Sequence, residues 1–139
     1  MGQPRSGAID LEALEELMGQ LADDDAIVLV EGPNDAAALE SWGVAPGRIR
    51  QVNERDLTQL EVVERLARFD RVVLLLDLDP KGERLTRRFQ RMLVERKVHP
   101  DLRYRNLLKL VVRGKLAPVE SLRRGRVARG GVRARRPKG

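Results

Sequence analysis

The stretch RVVLLLDLDPKGERL, residues 71–85, decides the fold. After Arg71 it runs through five aliphatic residues without a polar interruption. A strand covered on both faces reads this way, because neither side needs a polar residue. Asp77 and Asp79 follow at once, with Pro80, Gly82 and Glu83 behind them. Leu85, Phe89, Met92 and Leu93 then recur at helical spacing, which predicts a helix over residues 82–97. Strand, acidic turn and helix in this order form the repeating unit of a parallel α/β sheet.

The same unit occurs upstream. AIVLV, residues 26–30, is a second short apolar run; EGPND follows as a turn and AAALESW as a helix that Gly43 can stop. RIRQVN, residues 48–53, reads as a weaker strand. Residues 57–69 read as a helix with Leu57, Leu60, Val63 and Leu66 on one stripe. An amphipathic helix over residues 9–21 precedes them, with Ile9, Leu14, Leu17, Met18 and Leu21 inward. Residues 102–113 look helical and end at Gly114, and LAPVESL is a short edge strand or an ordered loop. The expected fold is a compact Rossmann-like parallel sheet of three to four strands flanked by helices, one domain over residues 1–122.

Composition narrows the chemistry. The chain has 139 residues, no cysteine and one histidine, His99. Disulfides, thiol nucleophiles and cysteine-based zinc sites are excluded, and a His-rich metal site is hard to assemble. A bound metal must be held by carboxylates, which suit hard cations such as Mg²⁺ or Mn²⁺. No apolar run approaches the roughly 20 residues that span a bilayer, and the N-terminus lacks a signal-peptide pattern. A cytoplasmic protein without membrane contact is expected.

Ligands of an open parallel sheet bind beyond the carboxyl ends of its strands. Two apolar strands here end in acids: Glu31 after IVLV, and Asp77 and Asp79 after VVLLL. Asp35 lies one turn beyond Glu31. If the two strands are neighbours, four carboxylates converge, and such a cluster repels itself unless a cation intervenes. Each acid also has a structural use. Asp79 before Pro80 is a good helix N-cap, and Asp35 can cap its own helix. Glu31 is the residue with least structural purpose, since glutamate is a poor N-cap.

VEGPND after one hydrophobic strand and DLDPKGER after another resemble the Toprim domain, over about residues 24–122. The resemblance implies Mg²⁺, with Mn²⁺ possible, as cofactor. It implies that Glu31 is the general acid/base of a phosphoryl transfer and that Asp77 and Asp79 are metal ligands. Asp35 matches an additional acid of the primase and ribosomal RNA maturase branches, and Glu83 of Gly82-Glu83 would join the metal shell, through water. Pro33 and Asn34 depart from the pattern, standing where a basic residue is often found.

Two basic features point to a polyanion. Arg84, Arg88 and Arg91 share one face of the helix after the DxD, with Arg87 beside them and Lys81 at its start. This face either follows a phosphate backbone or is an ordinary solvated surface opposite Leu85, Phe89 and Leu93. The net charge of +6 sits mainly in residues 123–139, RRGRVARGGVRARRPKG, which includes Arg123, Arg124 and Arg126 and no acid. That tail is expected to be disordered and to contact phosphates, or only to solubilise the chain. With aromatics at 3%, base stacking is a poor expectation.

Three functions follow from these residues. One is a Mg²⁺-dependent nuclease-like enzyme acting on nucleic acid, RNA before DNA. Another is a non-catalytic nucleic-acid-binding module within a larger complex. The third is a metal-binding protein with a small phosphate ligand.

Overall fold

The computed structural model describes residues 10–112 and 119–124. The elements are α1 (Leu11–Asp23), β1 (Ile27–Val30), α2 (Pro33–Ser41), β2 (Ile49–Gln51), α3 (Gln59–Leu66), β3 (Arg71–Leu74), α4 (Pro80–Glu95), β4 (His99–Asp101) and α5 (Arg103–Val111). Short 3-10 turns lie at Pro46–Arg48 and Val119–Leu122. Ile9, Gly114, residues 116–118 and the tail from Gly125 onward, Arg126 included, lie outside the described residues.

The four strands form one sheet, in the order β2-β1-β3-β4, and every neighbouring pair is parallel. The two aliphatic strands lie side by side, with Val28 opposite Val73 and Leu29 opposite Leu74. Successive residues of a strand point to opposite faces, so the runs supply two cores. Val28, Val30, Val73 and Leu75 pack beneath α1, α2 and α5. Ile27, Leu29, Val72, Leu74 and Leu76 pack against α3 and α4 with Phe89 and Leu93. This double coverage is why the runs carry no polar residue.

The structure corrects two expectations, the place of Leu60 and the bounds of the helix after the DxD, and settles two that the sequence left open. Leu60 does not join the buried stripe of α3; it is 52% exposed, and Val62 faces the core instead. A strict three-residue spacing drifts by about 60° per step around a helix of 3.6 residues per turn, and here it carries Leu60 out of the stripe. A capping box fixes the start of α3: Thr58 Oγ1 accepts from Glu61 N–H at 3.1 Å, and Glu61 Oε1 accepts from Thr58 N–H at 2.8 Å. The helix after the DxD begins at Pro80 and ends at Glu95, because Asp79 caps it. The described part of LAPVESL is a 3-10 turn and not an edge strand. A fourth strand, β4, has the sequence HPD, with no strand-forming residue. Proline is tolerated at a sheet edge, and His99 N–H joins the ladder by donating to the Asp70 carbonyl at 2.8 Å.

The N-terminal end of the sheet is tied by ions. Arg71 at the start of β3 donates to Asp24 at 2.7 Å and to Asp101 of β4 at 2.8 Å. Tyr104 of α5 donates its hydroxyl to the same Asp24 at 2.8 Å. The Arg71 hydrogen bond, aided by those from Tyr104 and the Ala26 N–H, holds the Asp24 carboxyl far below its ordinary value of 3.8. A depressed carboxyl stabilises the fold above its unfolded pKa and loses that contribution as the pH falls. Asp24→Asn should therefore cost about 2 kcal/mol at pH 7. In thermal denaturation the difference from wild type should narrow steadily as the pH drops through 4.

Candidate functional site

The sheet order reverses direction between β1 and β3, and that switch point opens the crevice where an α/β sheet binds ligands. Glu31 follows β1, and Asp77 follows the extended residues that continue β3. The two meet there: Asp77 N–H donates to Glu31 Oε2 at 3.3 Å. Asp35, buried in the first turn of α2, accepts from Gly32 N–H at 2.9 Å. Asp79 is the N-cap of α4 and accepts from Gly82 N–H at 2.7 Å. Asp77 Oδ1 accepts from Val119 N–H at 2.6 Å, so the C-terminal turn reaches the same edge.

Burial pushes the Asp77 carboxyl up to about 6 against the pull of the Val119 N–H, and the charges of Glu31, Asp35 and Asp79 add to the rise. The cluster's donors are all oxygens, which fits a hard divalent cation. Among the described residues no group of three or more His, Cys, Asp or Glu side chains is gathered to enclose an ion. Mg²⁺ does not need such a cage; it keeps several waters and takes one or two carboxylates together with substrate phosphate.

Arg105 is the contributor that sequence reasoning missed. It is 2% exposed, at the third position of α5. Its Nε donates to the Leu76 carbonyl at 2.9 Å, and a terminal nitrogen donates to the Asp77 carbonyl. Its other nitrogen lies 3.2 Å from Glu83, which also takes Lys109 at 2.6 Å. The Lys109 hydrogen bond is the main reason the Glu83 carboxyl lies below its ordinary value. Glu83 thus stands in two ion pairs beside the site. Gly82 is required at its position, since a Cβ there would overlap the Asp77 carbonyl. The only signal for Arg105 in the sequence is an arginine in an otherwise apolar helical stripe, which resembles a solvated residue.

Lys81, Arg84, Arg87, Arg88 and Arg91 are all exposed on α4. Arg84 and Arg87 line an open hollow of about 490 Å³ with Leu78, Pro80 and Glu83, immediately beside the DxD turn. Of the basic tail, only Arg123 and Arg124 lie among the described residues, both exposed. Arg124 N–H donates to Ser41 Oγ at 2.9 Å, and its guanidinium lies 5.4 Å from the Trp42 ring centroid. Trp42 Nε1 donates to the Leu122 carbonyl at 2.6 Å. The tryptophan, expected to pack under its own helix, is also the anchor of the C-terminal turn.

Residues 26–105 match the profile of the Toprim domain. A UPF0292 protein of Thermococcus onnurineus is 30% identical over 115 residues, covering 83% of this chain and 84% of its own. One from Methanosarcina barkeri is 31% identical over 116 residues, covering 81% and 79%. A solved structure of a protein from Aquifex aeolicus superposes with a TM-score of 0.66 at 28% identity, over 78% of this chain and 96% of that one.

Gly82→Ala should displace the Asp77 peptide and lower the melting temperature by several degrees, the scale of a substitution costing 1–3 kcal/mol. Trp42 also offers a direct optical check, as the only tryptophan. Deleting residues 119–139 removes its Leu122 and Arg124 contacts, and the expected result is a red-shifted emission with the helical circular dichroism largely kept.

Proposed function

Because this chain belongs to the Toprim family and stands with the UPF0292 proteins, we propose that its metal-dependent function on nucleic acid is phosphodiester cleavage, with RNA the favoured substrate. The observation that carries this reading is the meeting of Glu31 and Asp77 at the switch point, next to an arginine-lined hollow. Asp77 and Asp79 would hold Mg²⁺, or Mn²⁺ in its place, with Asp35 behind them. A divalent ion bound there supplies charge stabilisation to the scissile phosphate.

The protein's own groups do the rest. Glu31 is half-buried at the end of β1 and is the acid to move a proton to or from the reacting oxygen. Arg84 and Arg87 hold the phosphate beside the DxD turn, while Arg88, Arg91 and Lys81 extend the contact along α4. Arg123 and Arg124 add positive charge near α2, and Arg126 follows them in the chain. Glu83, expected to join the metal shell, fits better as the counter-ion of Arg105 and Lys109 that steadies the DxD turn. A second reading, a binding module without turnover in a larger complex, draws on the hydrogen bond that already engages Glu31.

The two readings separate in one assay. Labelled structured RNA and single-stranded DNA are incubated with the protein in Mg²⁺, in Mn²⁺ and in chelator. Glu31→Gln keeps an oxygen for the Asp77 N–H and should lower cleavage at least about 100-fold while leaving RNA affinity intact. Asp77→Asn should lower both cleavage and metal affinity. Absence of cleavage from every substrate, with salt-sensitive binding retained, favours the binding module.

A further inference from the structure

A second cationic hollow lies away from the carboxylates, on the β2 side of the layer formed by α3 and α4. Arg50 of β2, Arg65 of α3 and Arg68 line an open space of about 450 Å³, with Phe69 and Glu64. An adjoining hollow of about 210 Å³ shares Arg50 and Arg65. We propose that Arg50, Arg65 and Arg68 around Phe69 form a phosphate-binding subsite that takes a backbone phosphate of the nucleic acid. The identity of that ligand rests on the function proposed above; the positive cluster does not.

Its charge is only partly compensated: Glu61, one turn before Arg65, interacts with it electrostatically, and Glu54 lines the adjoining hollow. Glu64, the acid at the rim, is already committed to Arg96 through contacts of 3.1 and 2.8 Å. Among the described residues, Arg65 and Arg68 hold no ion pair. Arg50 rests on two neutral acceptors, the carbonyls of Gly47 at 2.7 Å and Ile49 at 3.2 Å. Bringing guanidinium groups together costs electrostatic energy, and the Phe69 ring offsets part of it. Arg68 lies 4.9 Å and Arg50 5.7 Å from the ring centroid. A guanidinium stacked by its flat face keeps its in-plane N–H fork for a phosphate.

A structural explanation covers only part of this. Arg65 in the last turn of α3 complements the helix dipole. That accounts for neither Arg50, which comes from the edge strand, nor Arg68, which lies beyond the helix end. The dipole there also opposes an anion, by about half a charge, which three guanidinium groups outweigh even with Glu61 and Glu54 nearby. The position suits a strand bound at the other site. Arg88 of α4 donates to Gln59, the first residue of α3, at 2.8 Å. Six residues along α3 then lead from Gln59 to Arg65, a rise of about 9 Å.

The test uses the full chain and a short fluorescent single-stranded RNA, with affinity measured by anisotropy across salt concentrations. Arg65→Ala/Arg68→Ala should weaken binding about tenfold or more and lower the slope of log K against log salt by about 0.7, one phosphate contact's worth. Mn²⁺ binding, followed by electron paramagnetic resonance, should not change. Arg65→Lys/Arg68→Lys should keep the slope and lose part of the affinity. Adenosine monophosphate, titrated calorimetrically, identifies the source of the phosphate. Nucleotide binding lost in the alanine pair supports the subsite with a small ligand; RNA weakening without nucleotide binding supports the backbone. Equal affinity and slope in wild type and alanine pair, for RNA and nucleotide alike, overturns the subsite, as does a wild type that binds neither. Arginine-dependent binding without cleavage leaves the subsite standing and removes the nuclease reading alone.

Discussion

The peptide between Leu76 and Asp77 is held by a buried guanidinium, and the candidate site depends on it. Burying an arginine is costly unless its donors are met and its charge is paired. Arg105 meets both conditions, with the carbonyls of Leu76 and Asp77 on one side and Glu83 on the other. The same contacts orient the chain as it leaves β3, so that Asp77 turns toward β1 and its N–H finds Glu31. Gly82 answers the constraint from the helix side. With no Cβ, it allows the first turn of α4 to press against the Asp77 carbonyl. Removing Arg105 would leave the Leu76 and Asp77 carbonyls without this donor and Glu83 with Lys109 alone.

Charge divides α1 from α4, which cover opposite faces of the sheet. α1 carries Glu12, Glu15, Glu16 and Asp23 and no basic residue. α4 carries Lys81, Arg84, Arg87, Arg88 and Arg91 against Glu83 and Glu95. A polyanion would meet more positive charge along α4 than along α1. The carboxylate edge lies at the boundary, where a bound divalent ion would offset local repulsion toward a phosphate. On the proposed function, the arginines would supply affinity and the acids a place for a cation.

The C-terminal turn joins these parts. Val119 N–H touches the same carboxyl that a metal would use, while Leu122 and Arg124 rest on Trp42 and Ser41 at the end of α2. The position of the chain after α5 is therefore coupled to the state of Asp77. The basic residues that begin with Arg123 start from beside α2, within the same structure that holds the acids.

The two apolar runs and the acids that close them determined the sheet, its double coverage and the identity of Glu31, Asp77 and Asp79. Apolar periodicity and strand-end position are local properties, legible without partners. β4 was not legible, because HPD becomes a strand only by pairing with β3. Leu60 was misplaced because helical phase is set by the capping box at Thr58. The role of Arg105 was invisible for a different reason. An arginine in a helix looks the same in sequence whether it faces water or a carbonyl, and only packing α5 across the end of β3 gives it buried partners. The acids follow the same division. Their presence and order are written in the chain, but their convergence required β1 and β3 to be neighbours, a choice made by the crossing of α3 over the sheet.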